Sequence, residues 1–228
     1  MFKFTPILLA IIYGLVIYRF SVWRTARELD EKSTELADPV LKRAMDRMAG
    51  ALDLPRIRVH IYEIEPVNGL AAPDGRIFIT RGFFNKYRQG QVTADEMASV
   101  IAHELGHVAL GHSRRRMIDF SGQNALRTAL AMVFGRIIPW IGPLIASSIT
   151  SLLAARLSRA DEYEADAYAS ALLVKAGFGT EPQKSLFRKL EKLTGANGAR
   201  VPAWLMSHPK TAERIAAIEK NEAKWKLS

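Results

Sequence analysis

The sequence predicts an α+β fold, mainly helical, in which a small β-sheet and two long helices bearing histidine and carboxylate pairs follow an N-terminal transmembrane helix. Three observations carry this expectation. An uncharged apolar run opens the chain, period-two alternation of β-branched residues is confined to positions 57–80, and helical periodicity with start and stop signals dominates after Thr93. The 228 residues, 49% of them hydrophobic, suffice for one domain plus an anchor and leave no room for a second full domain.

The amino terminus reads Lys3, then an uncharged run from Phe4 to Tyr18, then Arg19, Phe20, Trp23 and Arg24. The run is short against the roughly 20 apolar residues of a spanning helix, but Lys3 and Arg19 can snorkel and Trp23 suits the interface. No small-x-small cleavage site follows it, so residues 1–24 read as a retained single-pass anchor and 25–228 as the folded domain. Positive charge is heavier after the run (Arg19, Arg24, Arg27) than before it, which puts the domain on the cytoplasmic side.

Asp38-Pro39 then supplies an N-cap and a first-turn proline, opening a helix with Val40, Leu41, Ala44, Met45 and Met48 inward and a stop near Gly50. Ile57, Val59 and Ile61 alternate with polar residues as a strand, and Ile77 to Thr80 forms another after the turn residues Pro73-Asp74-Gly75. Thr93-Ala94-Asp95-Glu96 is a capping box leading into a helix with Met97, Val100, Ile101, Leu105 and Val108 on its apolar stripe, ending near Gly111. Another long helix carries Ser158 through Asp166 and stops at Gly177 or Gly179; two more follow near Gln183–Leu193 and Pro209–Lys220.

Between the two long helices lies a strongly apolar insert, residues 129–157. Its 29 residues (157 minus 129 plus 1) are too few for two membrane passes, which need about 40. A single pass would separate the two helices across the bilayer. The insert therefore reads as a helical hairpin broken at Pro139 to Pro143, packed on the domain as a lid or dipping into the membrane surface.

Composition narrows the chemistry. With no cysteine, disulfides and every thiolate-based site are excluded, so a bound metal must be held by His and carboxylate. The net charge of +9 admits nucleic acid or an anionic membrane as partner. No recognised motif or aromatic platform supports nucleic acid, and none is expected.

The strongest signal is His103-Glu104-Leu105-Gly106-His107 on the capped helix. Histidines four apart share a face, so both imidazoles reach one ion while Glu104 turns toward the water on it. A catalytic zinc site needs a third protein ligand and an open position. Glu162 is the candidate, and Asp166, four residues on, is placed to accept a hydrogen bond from a ligating histidine and fix its tautomer. In such a site Glu104 is the general base for metal-assisted hydrolysis of a peptide bond, with one Zn2+ per chain.

These residues resemble the HtpX-like and prenyl-protein (CAAX) endopeptidase group of gluzincin metallopeptidases. Four segments carry the resemblance: Asn68 to Pro73 with Gly75 to Gly82; His103 to His107; Ser158 to Asp166; and Ser207-His208-Pro209 with Glu213-Arg214-Ile215. It implies Glu162, not Glu164, as third ligand. It implies further that Arg76, Ile77, Phe78, Ile79 and Thr80 form an edge strand pairing with substrate backbone, and that His208 and Arg214 stand at the cleft as catalytic substrate or oxyanion contacts. The expected function is a membrane-anchored zinc metalloendopeptidase acting on unfolded or membrane-associated polypeptides in protein quality control, with membrane lipid as a second partner. Multi-pass relatives carry more membrane helices than this chain offers, which makes a dedicated prenyl-substrate chamber the weaker alternative. A non-catalytic binding protein with a structural metal is the other alternative, and Glu104, useless to such a site, argues against it.

Other polar residues receive bland readings. His112, five past His107, points off the metal face as a cap or surface residue; His60 faces solvent from its strand; Ser113 to Arg116 form a solvated helix end.

Overall fold

The computed structural model describes residues 5–72, 74–112, 115, 142–195 and 211–225. In chain order the elements are α1 (Thr5–Glu31), β1 (Ser33–Glu35), α2 (Pro39–Ala51), β2 (Val59–Tyr62), β3 (Gly69–Ala71), β4 (Ile77–Thr80), α3 (Arg81–Arg88), α4 (Ala94–Ala109), α5 (Gly142–Lys175), α6 (Glu181–Gly195) and α7 (Thr211–Trp225). The α+β expectation holds: among the described residues one four-stranded sheet sits among helices.

Local chemistry explains the helix starts. The Asp38 carboxylate accepts from Val40 N at 2.9 Å and Leu41 N at 3.0 Å, satisfying two amides that α2 leaves open. Its inward face is Leu41, Ala44, Met45 and Met48, but Val40, expected inward, is exposed because at 100° per residue it falls at the margin of that face. At α4 the capping box is complete: Glu96 N donates to Thr93 Oγ1 and Thr93 N donates to Glu96 Oε2. Glu96 also accepts from Ser185 Oγ at 2.7 Å and Lys189 Nζ at 2.8 Å, so the residue that starts α4 also ties it to α6.

Helix α4 is the central element, touching α2, α5, α6, β3 and β4. Met97, Ala98, Ile101 and Ala102 on it are fully buried against a core that includes Leu41, Met48, Ile79, Phe83, Leu173 and Leu186. Each such Leu, Ile, Met or Phe side chain contributes roughly 1.5–3 kcal/mol by leaving water.

The sheet order is β1-β2-β4-β3, with β1 and β3 antiparallel to their neighbours and β2 parallel to β4. This corrects one expectation. Strand β4 is not an edge: Ile77 pairs with Val59 on one side and Ala71 on the other, and Ile79 with Ile61 and Gly69. The backbone of Ile77 to Thr80 is committed within the sheet and its side chains are buried, while Arg76 is ion-paired to Asp74 and Asp30. The sheet margin nearest α4 is instead β3. His60, expected in solvent, is half-buried with its ring 5.3 Å from that of Phe78.

From Thr5 onward the apolar opening run forms the first part of α1, one continuous 27-residue helix. Its carboxyl end docks on the sheet through Leu29, which packs with Ala72 and Phe78, and through Glu28, which accepts from Tyr62 Oη at 3.0 Å. Further back, Ile12, Leu15, Val16, Phe20 and Trp23 are exposed at helical spacing, making one apolar stripe. Among the described residues no helix is long and apolar enough to cross a membrane. Of the insert 129–157, residues 129–141 lie outside the described residues. From Gly142 the backbone is already helical and runs without interruption into the segment bearing Glu162, so half of the insert is an extension of α5.

Candidate metal centre

Two helices build the site. On α4, His103 and His107 are buried with their Nε2 atoms 3.1 Å apart. From α5, the Glu162 carboxylate straddles them, Oε2 3.4 Å from His103 Nε2 and Oε1 3.4 Å from His107 Nε2. Tetrahedral zinc with ligands at about 2.0–2.1 Å places neighbouring ligand atoms about 3.3 Å apart, so the spacing suits one such ion. The close helix contact that permits it passes over Gly106, where a Cβ would lie 3.0 Å from the Ala165 carbonyl oxygen and 3.1 Å from Ala165 Cα.

The outer nitrogens of both imidazoles are engaged, which leaves the inner ones for metal. His103 Nδ1 lies 2.9 Å from Asp166 Oδ1, a donor-to-carboxylate contact that puts the proton on Nδ1. Asp166 in turn accepts from Arg214 Nε at 2.6 Å and Arg214 Nη2 at 2.7 Å, and from Gln183 Nε2 at 3.3 Å. The donor set thus fits zinc in atom type, tautomer and spacing.

Electrostatics follow from burial among opposite charges. Burial alone would lower the His103 pKa, but the Asp166 and Glu162 carboxylates against the ring lift it to about 9 in the metal-free protein. Burial would raise Asp166, yet the Arg214 guanidinium and His103 hold it down at about 2. Arg214, pulled down by burial, is held above the usual arginine range mainly by Asp166.

Glu104, next to His103 in the chain, is buried and reaches β3, where a Cβ on Gly69 would lie 2.9 Å from its Oε1. The carboxylate therefore stands between the metal helix and the edge of the sheet.

Arg214, expected at the cleft, is only 2% exposed; its guanidinium grips Asp166, stacks 4.3 Å from the Phe187 ring centroid and lies 3.8 Å from Glu162 Oε2, so it supports the candidate ligands from behind. His208 lies outside the described residues.

One residue escaped the sequence reading. His112 is fully buried, its Nδ1 3.0 Å from His107 Nδ1 and its Nε2 3.1 Å from Glu164 Oε2 and 3.7 Å from Asp161 Oδ1. Helical spacing does not place His112, because α4 stops at Ala109 and Gly111, at φ 70°, turns the chain back. A histidine directly after a helix-ending glycine was the available signal.

The sequence pattern of peptidase family M48 matches residues 35–222. The chain is 30% identical over 204 residues to Metalloprotease LoiP of Escherichia coli, covering 86% of this chain and 76% of that one. It is 29% identical over 170 residues to Metalloprotease YcaL of the same organism, covering 75% and 64%. It is 26% identical over 238 residues to Protease HtpX of Nitrosococcus oceani, covering 90% and 79%.

Proposed function

We propose, from the premise that this chain belongs to peptidase family M48 and is a metalloendopeptidase, that it cuts polypeptides with one zinc ion held by His103, His107 and Glu162 and with Glu104 as general base. The observation that carries this reading is the convergence of two Nε2 atoms and one carboxylate at 3.1–3.4 Å in a buried site.

Zinc, when bound, supplies a Lewis acid that polarises the scissile carbonyl and lowers the pKa of a coordinated water to about 7. The protein supplies the rest. Glu104 accepts the proton of the attacking water on its carboxylate and returns it to the leaving amine nitrogen. Asp166 holds His103 with Nε2 bare, and Arg214 holds Asp166 ionised and in place. The substrate main chain adds along the outer edge of β3, with which no other strand pairs among the described residues, and this brings its carbonyl beside Glu104; the absence of a side chain at Gly69 keeps that approach open.

The substrates are unfolded or membrane-associated polypeptides, as in quality control, and the chain is held at the membrane by residues 1–24, with the catalytic domain on the cytoplasmic side. The uncharged run Phe4–Tyr18 and the exposed stripe of Ile12, Leu15, Val16, Phe20 and Trp23 support the anchor. Membrane fractionation of the full chain against a chain lacking residues 1–24 tests it: the full chain sediments with membranes, and an unchanged distribution on deletion contradicts it.

The chemistry is tested with casein and purified Glu104→Gln. Cleavage is lost while bound zinc stays at one per chain; equal cleavage by both proteins ends the assignment of Glu104.

A further inference from the structure

We propose that His112 is a positioning residue of the metal centre: it takes the Nδ1 proton of His107 in a hydrogen bond and relays the demand for an acceptor to Glu164 and Asp161, locking His107 with Nε2 bare toward the ion. The inference rests on His107 being a metal ligand, as argued above.

A neutral imidazole carries one N–H. If His107 offers Nε2 to a metal, its proton is on Nδ1, which lies 3.0 Å from His112 Nδ1. For that contact to be a hydrogen bond, His112 Nδ1 must be bare and its own proton must sit on Nε2. His112 Nε2 lies 3.1 Å from Glu164 Oε2 and 3.7 Å from Asp161 Oδ1, two carboxylates ready to accept it. Every proton in the chain then points outward from the metal. The reverse order would put a proton on His107 Nε2 and close it to the ion. His103 receives the same service directly from Asp166; His107 receives it through an intervening ring, because Gly111 folds His112 back beneath it.

The outer group itself, His112, Asp161 and Glu164, brings ligand atoms within 4.8 Å of one another, close enough to suggest a second ion. Proton bookkeeping argues against it. A metal on His112 Nε2 would drive its proton to Nδ1, N–H facing N–H across 3.0 Å from His107. Arg115 Nη1, 3.8 Å from Asp161 Oδ1, already supplies positive charge there. The group serves as an acceptor, and the chain binds one zinc.

The test compares the full chain with His112→Phe, which removes the acceptor, and His112→Gln, whose amide oxygen can replace it. Zinc dissociation constants are measured by chelator competition. We expect His112→Phe to weaken zinc about 10–100-fold and His112→Gln to recover most of the loss. Zinc binding by His112→Phe as tight as wild type overturns the proposal, and so does a second zinc in wild type that Glu164→Gln removes. Should His112→Phe fail to fold, 15N histidine NMR of the wild-type zinc form decides: protons on His107 Nδ1 and His112 Nε2 support the relay, and a proton on His112 Nδ1 overturns it. Wild-type protein that binds no zinc is a separate result, which overturns the metal-site reading and the relay with it.

Discussion

Arg214 grips Asp166 through two nitrogens, Nε at 2.6 Å and Nη2 at 2.7 Å, and the same carboxylate faces His103 Nδ1 at 2.9 Å. The pair is wholly buried, so each partner is the other's main compensation for lost water. Support for the metal centre therefore originates on α7, far along the chain from the histidines.

Removing the cation should be severe. Arg214→Ala removes the guanidinium from a buried carboxylate and leaves it only His103 and Gln183, with an expected destabilisation of about 3–5 kcal/mol by urea denaturation. Arg214→Lys keeps the charge but loses the two-point grip and should fall between the two. Stability of Arg214→Ala equal to wild type would show that the pair is not structural.

The helix contact at Gly106 should also resist substitution. Gly106→Val places branched carbons where a single Cβ already meets Ala165 backbone at 3.0 Å, so α4 and α5 must separate. We expect a loss of about 1–3 kcal/mol in stability together with weakened zinc binding, since separation moves Glu162 away from the histidines. Zinc affinity by chelator competition checks this, and unaltered affinity contradicts it.

The pH response should have opposite signs with and without metal. Folding raises the His103 pKa from 6.5 to about 9, so in the metal-free protein this contribution to stability is complete below pH 6.5 and is lost as pH rises through 9. Zinc requires the neutral ring, so its apparent affinity should rise about tenfold per pH unit over the same window and then level. Melting of chelator-treated protein and zinc titrations from pH 6.5 to 9.5 test both halves. Folding also lowers Asp166 from 3.8 to about 2, a contribution present above pH 3.8 and lost as pH falls toward 2.

Much of the site was legible because it is written in helical spacing. The capping box at Thr93, the histidines four apart and the pair Glu162 and Asp166 each follow from local periodicity, and the structure brings them together. What was not legible depends on tertiary context. The order of the strands is set by long-range pairing, although Ile77-Phe78-Ile79 carried a hint: an unbroken apolar run marks a strand covered on both faces, and Gly69-Leu70-Ala71 is the short strand left at the margin. Arginine is seldom fully buried, so nothing in the sequence around Arg214 announced that it would close on Asp166. His112 was lost to a wheel projected past the end of its helix.

The central claim is that Glu162, and not a neighbouring carboxylate, completes the metal site with His103 and His107. Zinc dissociation constants of Glu162→Ala and Glu164→Ala, measured against wild type with the same chelator, test it most directly. The account predicts that Glu162→Ala no longer retains zinc through dialysis while Glu164→Ala keeps one zinc per chain with affinity reduced no more than about 100-fold. Zinc held by Glu162→Ala as tightly as by wild type would contradict it.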